Sequence, residues 1–104
     1  IHDDIDINLG NIKIKHNGTS GGHNGIKNII QYLNTENFNR IRIGVDPKPD
    51  LISLDNYVLS KFSSAEKILI DQAINKTCEA IDFILKNNIF LAMNKFNFKQ
   101  KPKN

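Results

Sequence analysis

The amino-acid sequence predicts a layered α/β fold, and two patterns carry that prediction. Three short stretches alternate apolar and polar residues, which is the period of half-buried β-strands. Two other stretches place apolar residues three and four positions apart, which is the period of amphipathic helices. A length of 104 residues fits one domain, so residues 1–104 are assigned to a single domain.

The strands are predicted in the first half of the chain. Alternation of isoleucine and leucine with polar residues predicts a first strand over residues 5–9 and a second over residues 11–15. Residues 40–45 return to the same alternation and predict a third strand. Residues 46–50 contain two prolines, which cannot donate to a sheet ladder, so this segment is predicted to be a rigid turn.

The helices are predicted on either side of the third strand. The first begins at His23 or Asn24 and carries an apolar stripe of Ile26, Ile29, Ile30 and Leu33. The second covers residues 64–87, and Ser63 and Glu66 have the spacing of a capping box at its start. Its apolar stripe consists of Ile70, Ala73, Ile74, Thr77, Ile81, Ile84 and Leu85.

Composition and charge limit the classes of protein that fit. A net charge of +3 and a pI of about 9.1 permit a polyanionic partner without requiring one. The longest apolar run, residues 89–93, is too short to span a bilayer, and residues 89–98 are predicted to add one short helical turn. The single cysteine, Cys78, cannot form a disulfide within the chain and is predicted to be buried on the apolar face of the second helix.

The beginning of the chain carries an expectation of its own. Residue 1 is Ile1 rather than methionine, and an aspartate-rich segment follows directly without a signal-peptide pattern. We therefore expect that the native amino terminus has been removed. Three short strands and two helices also enclose a poor core, which leads to the expectation of further sequence upstream.

A glycine-rich loop, residues 20–25, is the first candidate for a functional site. Gly21 and Gly22 permit positive φ and close approach of a ligand, and the following helix points free N–H groups at that place. His23 adds a titratable ring, and Asn24 adds an amide that donates and accepts hydrogen bonds. The alternative is a plain strand-to-helix turn capped by Asn24. The loop is not a P-loop, because no Gly-Lys-Ser/Thr ending follows.

An acidic segment, residues 2–6, is the second candidate. Clustered carboxylates can hold a metal ion or orient a catalytic base, but no further acidic cluster supports the metal. Asp4 is predicted to lie on a solvated strand edge. From the residues alone a general base has to be His2, His16 or His23, and His23 paired with Asp3 is the first choice.

Basic residues on the predicted strands are the third candidate. Lys13 and Lys15 share one face of their strand, as do Arg40 and Arg42 of theirs. Such residues can contact phosphates without reading a base sequence, although a solvated strand face is the simpler interpretation of them alone. The lysines near the end are predicted to belong to a solvated tail: Lys99, Lys101 and Lys103.

These segments also occur in a specific order. The order is His-Asp-Asp-Ile-Asp at residues 2–6, Gly10, Gly-Gly-His-Asn-Gly-Ile-Lys at residues 21–27, and Phe-x-Arg-Ile-Arg-Ile-Gly at residues 38–44. Tyr-Val-Leu at residues 57–59, Phe62 and Ala-Met-Asn at residues 92–94 follow. Over nearly the whole chain this arrangement resembles the carboxy-terminal portion of the bacterial-type peptidyl-tRNA hydrolase family.

The resemblance implies a twisted mixed sheet with flanking helices, incomplete here at the amino terminus. It implies hydrolysis of the ester between peptide and tRNA in peptidyl-tRNA, which recycles tRNA during translation without a metal or another cofactor. The implied partner is peptidyl-tRNA, the full-length state is a monomer, and the compartment is the cytoplasm or alternatively an organelle. The family's general base is a histidine in an amino-terminal segment, so the isolated chain is expected to be inactive.

The resemblance also assigns roles by position. Asp3 corresponds to the carboxylate that orients the general-base histidine and stabilises its basic form. Asn24 corresponds to the amide that holds the substrate and its attacking water, and His23 to its supporting neighbour near the tRNA 3′ end. Lys15 and Arg42 correspond to a pair that clamps a tRNA phosphate.

Two alternatives stay open beside this function. One is a non-catalytic RNA-binding protein on the same fold, similar to splicing-factor relatives; Asp3, His23 and Asn24 argue against it, because binding alone would not need them. The other is a basic α/β domain with an ordinary glycine turn. The chain also departs from the family at Asp46, where a second glycine is common and where a negative charge lies beside the expected tRNA face.

Overall fold

The computed structural model describes residues 1–45 and 62–97. Its elements follow the order β1 (His2–Asp4), β2 (Ile12–Lys15), α1 (Asn24–Leu33), β3 (Arg40–Gly44), α2 (Ser64–Lys86) and α3 (Ile89–Phe96). The three strands form one sheet in the order β1-β3-β2, in which β1 is parallel and β2 antiparallel to β3. The predicted α/β class, with a mixed sheet and flanking helices, is confirmed.

The two faces of the sheet differ in chemistry. The register between β2 and β3 places their isoleucines on one face and the cations Lys13, Lys15, Arg40 and Arg42 on the other. The isoleucine face packs against α2 and α3 to form the core, whose buried members are Ile12, Ile14, Ile41, Ala73, Ala80, Ile89 and Ala92. The two basic pairs that the sequence placed on separate strands therefore share one surface.

The first strand lies earlier in the chain than its alternation predicts. Residues 5–9 are not a strand, so that prediction is wrong, and β1 precedes them. The main-chain N–H of Asp6 donates to Oδ1 of Asp4 over 2.8 Å and turns the chain out of the sheet. The carbonyl groups of Ile7 and Asn8 then cross Gly44 so closely that a side chain at residue 44 would collide with them.

Helix α2 begins where its capping box predicts. Ser63 Oγ accepts from the N–H of Glu66 over 3.2 Å, and the Glu66 carboxylate accepts from the N–H of Ser63 over 2.8 Å. The helix has 23 residues, and no helix within the described ranges combines the length and apolar character needed to cross a membrane.

The buried face of α2 is narrower than the predicted stripe. It consists of small residues four and three positions apart: Ala73, Thr77 and Ala80. Cys78 is exposed, so its predicted burial is wrong, because it follows Thr77 by one position and points about 100° away around the helix. Small side chains let α2 approach the sheet, whereas Ile74 and Ile81 of the predicted stripe are exposed, at 45% and 37%.

Helix α3 and the residue after it protect one edge of the sheet. The segment predicted as a short helical turn forms the eight residues of α3. The side-chain amide of Asn97 accepts from the N–H of Ile14 over 2.5 Å and donates to the carbonyl of Ile14 over 3.0 Å. Asn97 therefore occupies main-chain groups that an edge strand such as β2 would otherwise leave unpaired.

Some sequence predictions concern residues outside the described ranges. These are the rigid turn at residues 46–50 with Asp46, the Tyr-Val-Leu block at residues 57–59, and the lysine tail at residues 99–103.

Candidate active site

The acidic segment and the glycine loop meet at one cavity. It has a volume of about 250 Å³ and is lined by residues 2–6, residues 20–25 and Arg42. Gly21 and Gly22 adopt φ values of +59° and +85°, the left-handed conformations for which glycine was predicted. The N–H of His23 donates to the carbonyl of Ser20 over 3.0 Å and closes the turn that leads into α1.

His23 caps helix α1 and fixes its own tautomer in doing so. Its Nδ1 accepts from the N–H of Ile26 over 3.2 Å, so the ring proton resides on Nε2. Nε2 lies 2.8 Å from Oδ1 of Asp3 and donates to it. The expected pairing of His23 with Asp3 is confirmed, but both ring nitrogens are occupied, so the ring has no free lone pair with which to take a proton from water.

Gly25 leaves the space in which the His23 ring lies. A Cβ at residue 25 would stand 3.1 Å from Cε1 of His23, closer than ordinary van der Waals contact. The third glycine of the loop therefore serves the placement of the histidine rather than a turn.

Asn24 is the first residue of α1 and not its cap. Its side chain is exposed at the wall of the cavity and makes no hydrogen bond with residues 1–45 or 62–97. The amide is therefore available to a ligand, as a donor and as an acceptor.

His2 contacts both Asp3 and His23. Its Nδ1 lies 2.9 Å from the carbonyl oxygen of Asp3 and donates to it, and its ring packs edge-on against the His23 ring with 4.7 Å between centroids. Burial lowers the pKa of His2, the hydrogen bond to the Asp3 carbonyl raises it, and electrostatic interactions with His23 and Arg42 lower it further. The Nε2 of His2 is buried and finds no hydrogen-bond partner in the described parts of the chain. The lone pair of this ring is therefore enclosed within the described part of the chain.

Asp3 keeps one oxygen for another partner. Oδ1 accepts from His23, whereas Oδ2 has no partner among the described residues, and the side chain is 39% exposed. The carboxylate can therefore accept a second N–H donor from the side of the cavity.

Asp4 is not the solvated edge residue that the sequence predicts. Its side chain is 11% exposed, and Oδ2 lies 3.4 Å from Nη1 of Arg42. Arg42 reaches the cavity wall in this way, with its own side chain 18% exposed.

The remaining predicted residues lie apart from the cavity. Lys15 is on the basic face of the sheet and is half-buried, but it is not part of the cavity lining. His16 donates from Nδ1 to Oδ1 of Asn39 over 2.8 Å, and its ring lies 5.3 Å from that of Phe90, so it does not belong to the site. Among the residues that the structure describes, no three His, Cys, Asp or Glu side chains are grouped to hold a metal ion.

The whole chain, residues 1–104, matches the family model described as peptidyl-tRNA hydrolase. The chain belongs to the peptidyl-tRNA hydrolase family. It is 47% identical to the peptidyl-tRNA hydrolase of Fervidobacterium nodosum over 97 residues, which are 93% of this chain and 53% of that protein. The corresponding protein of a Thermoanaerobacter species is 50% identical over 98 residues, 93% of this chain and 52% of its own length.

The fold of the family agrees with the structure. The crystal structure of peptidyl-tRNA hydrolase from Acinetobacter baumannii superposes with a TM-score of 0.83 at 33% identity, covering 94% of this chain and 50% of that one. The chain thus spans about half the length of the peptidyl-tRNA hydrolases it matches.

Two features of the site were not evident from the family motifs. The supporting position of His2 depends on its being opposite Arg42 in the β1–β3 register, which single-strand alternation does not reveal. Arg40 is 3% exposed, although sequence alternation placed it beside Arg42 as a surface cation. The adjacent Phe38 was the available signal, because arginine stacks on aromatic rings.

Proposed function

We propose that the intact protein hydrolyses the ester bond between peptide and tRNA in peptidyl-tRNA and so recycles tRNA for translation. The observation that carries this proposal is the meeting of Asp3, His23 and Asn24 at one cavity in a member of the peptidyl-tRNA hydrolase family. The relatives that are 47% and 50% identical to this chain over the aligned residues bear that name, which supports the proposal further.

Ester hydrolysis needs a base to activate water. None of the three histidines presents a lone pair to the cavity for this purpose, since those of His23 and His2 are occupied or buried and His16 lies elsewhere. The resemblance implies a general-base histidine outside these residues. We propose that Oδ2 of Asp3 accepts the N–H of that histidine, holds its tautomer and stabilises the imidazolium formed when water is deprotonated.

Asn24 is proposed to hold the substrate and the attacking water. Its amide offers a donor for the ester carbonyl and an acceptor for water, and its place at the amino end of α1 puts it beside the positive end of the helix dipole. His23 is proposed to support it near the tRNA 3′ end, because the cap that His23 forms fixes the first turn of α1.

The proposed partner is the tRNA part of the substrate. Lys15 and Arg42 are proposed to clamp a tRNA phosphate, and the shared basic face of β2 and β3 supports this by concentrating positive charge. Nη1 of Arg42 is engaged by Asp4, while its Nη2 has no hydrogen bond to described residues and stays available to a phosphate oxygen. Such contacts would position tRNA without reading its sequence.

The setting of the reaction belongs to the same proposal. Residues 1–104 are the carboxy-terminal part of a single hydrolase domain, and this part alone is inactive. The intact protein acts as a monomer, in the cytoplasm or alternatively in an organelle, and its reaction uses no metal or other cofactor.

The test measures peptide release from a defined peptidyl-tRNA by the intact protein. Asp3→Asn should lower kcat/KM by about 100-fold or more, because the base loses its orienting charge. Asp71→Asn is the matched control, since it removes the same charge from an exposed position on α2 and should change nothing. Binding of peptidyl-tRNA without turnover by the unmodified protein would contradict the proposal and favour the RNA-binding alternative.

A further inference from the structure

We infer that Arg40 is a positioning residue, a buried guanidinium that holds the glycine loop and thereby places His23 and Asn24. Its role in catalysis rests on the proposed function, whereas its role in holding the loop does not. Strand alternation alone does not distinguish it from Arg42, two positions later on the same strand face.

The hydrogen bonds of Arg40 join both ends of the α1 connection. Nη1 donates to the carbonyl of Thr19, and Nη2 donates to the carbonyl of Gly18 and, over 2.9 Å, to that of Glu36. The first two carbonyls belong to the segment that enters the glycine loop, and the third belongs to the segment between α1 and β3. One rigid fork on a sheet strand therefore fixes the chain before and after the helix.

Helix α1 needs such an attachment. Ile26 is its one buried residue out of ten, so apolar packing holds it weakly among the described elements. Its other anchor is the bond from His23 to Asp3 at its amino end. If the entry segment shifted, the turn closed by Ser20 and His23 would move with it, and so would Asn24 at the cavity wall.

Arg40 is unsuited to contact phosphate. It is 3% exposed, and the ring of Phe38 covers its guanidinium with 4.3 Å between Cζ and the ring centroid. Its hydrogen-bond acceptors among the described residues are main-chain carbonyls and not carboxylates. Burial lowers the pKa of Arg40 and the charge of Arg42 lowers it further, against the opposing effect of the Glu36 carboxylate.

The experiment compares Arg40→Lys and Arg40→Gln in the intact protein. Lysine keeps the charge but has no fork with which to hold three carbonyls. Both variants should raise amide hydrogen exchange over residues 18–25 by about tenfold and lower kcat/KM for peptidyl-tRNA by about tenfold. Lys67→Gln, which removes an exposed charge on α2, is the matched control and should change neither quantity.

The salt dependence of tRNA binding separates positioning from phosphate contact. For a positioning residue, the slope of log Kd against log salt in Arg40→Gln stays that of the unmodified protein, although the charge is removed. A phosphate ligand would give the opposite pattern: Arg40→Lys would behave like the unmodified protein in exchange and turnover, and Arg40→Gln would lose about one unit of slope. That pattern would overturn the inference.

The role of Arg40 can still be tested if one variant does not fold or if the protein is inactive. If Arg40→Gln does not fold, Arg40→Lys and Phe38→Leu decide, since the latter uncovers the guanidinium and should raise exchange over residues 18–25 in the same direction. Unchanged exchange in both would overturn the inference. If the unmodified protein fails to hydrolyse peptidyl-tRNA, the proposed function fails, and the exchange measurement still decides the role of Arg40.

Discussion

Helix α1 and the pair formed by α2 and α3 are held in the structure by different forces. Helices α2 and α3 bury small residues against the isoleucine face of the sheet, with Ala73, Ala80 and Ala92 fully enclosed. Helix α1 buries Ile26 alone and is held at its ends by His23 on Asp3 and by Arg40 on the loop carbonyls. The region that carries the candidate site thus depends on polar contacts, and the region that carries stability depends on apolar burial.

This difference allows stability and activity to be changed separately. Removing a buried apolar side chain lowers the free energy of unfolding, because it leaves a cavity in the core. The few polar contacts at a site instead set the positions of reacting groups, so a small displacement there lowers the reaction rate. Substitutions in the α2–α3 layer should therefore alter unfolding, and substitutions around α1 should alter turnover.

The largest effect on stability is expected from Ile14→Ala. Ile14 is fully buried between the sheet and the helices, so its truncation should lower the free energy of unfolding by about 2–5 kcal/mol. Denaturant unfolding of the intact protein measures this, and turnover of the folded fraction should stay unchanged. Tyr32→Ala on α1, at a residue 91% exposed, is the control and should cost less than about 0.5 kcal/mol. Equal costs would show that α1 is packed as firmly as the core.

Gly25→Ala is expected to have a smaller effect, and on turnover instead of on the free energy of unfolding. Alanine favours the helix by up to about 1 kcal/mol, but its Cβ displaces the His23 ring by a few tenths of an ångström. Turnover should fall about threefold to tenfold while the free energy of unfolding is unchanged or raised. Asn28→Ala raises helix propensity one turn later without approaching His23, and it should leave turnover intact. A fall in turnover for both variants would point to the helix as a whole instead of the ring.

The smallest effect concerns pH and His2. Because burial lowers the pKa of His2 below the ordinary 6.5, the unfolded chain binds a proton more readily than the folded one. The resulting contribution to stability is complete above pH 6.5 and is lost as pH falls through the folded pKa. Unfolding measured from pH 7.5 downward should show this decline, and His2→Phe, which keeps a ring against His23 but cannot titrate, should reduce it. An identical decline in the variant would assign the effect to other groups.

The sequence predicted the strands and helices that form the apolar core better than it predicted the polar turns and the burial of single residues. Periodicity located β2, β3 and α2 to within one residue, because local alternation and capping chemistry dictate them. It failed at residues 5–9, where a turn imposed by Asp4 and the crossing over Gly44 overrides the alternation. The burial of Arg40 and the exposure of Cys78 were missed for the same reason, since both depend on which element packs against a face.

The sequence predicted most residues of the candidate site, but it did not predict which residue caps helix α1. Glycine at positive φ, a helix beginning at the loop, and the pairing of Asp3 with His23 all follow from residue chemistry, and the structure contains each of them. The capping of α1 by His23 instead of Asn24 was not foreseen, because asparagine is the commoner cap. Because His23 caps the helix, the Asn24 amide is not needed as a cap. It therefore lies at the cavity without a hydrogen bond to the described residues.

The most direct test of the central claim is the kcat/KM of Asn24→Ala against that of Asn28→Ala, measured on peptidyl-tRNA with the intact protein. The exposed Asn24 side chain makes no hydrogen bond within the described residues, so its loss should leave the free energy of unfolding nearly unchanged. If its amide holds the substrate and the attacking water, kcat/KM should fall by an amount equivalent to about 2–4 kcal/mol, while Asn28→Ala keeps full activity. Equal turnover in the two variants would contradict the assignment of this loop as the active site.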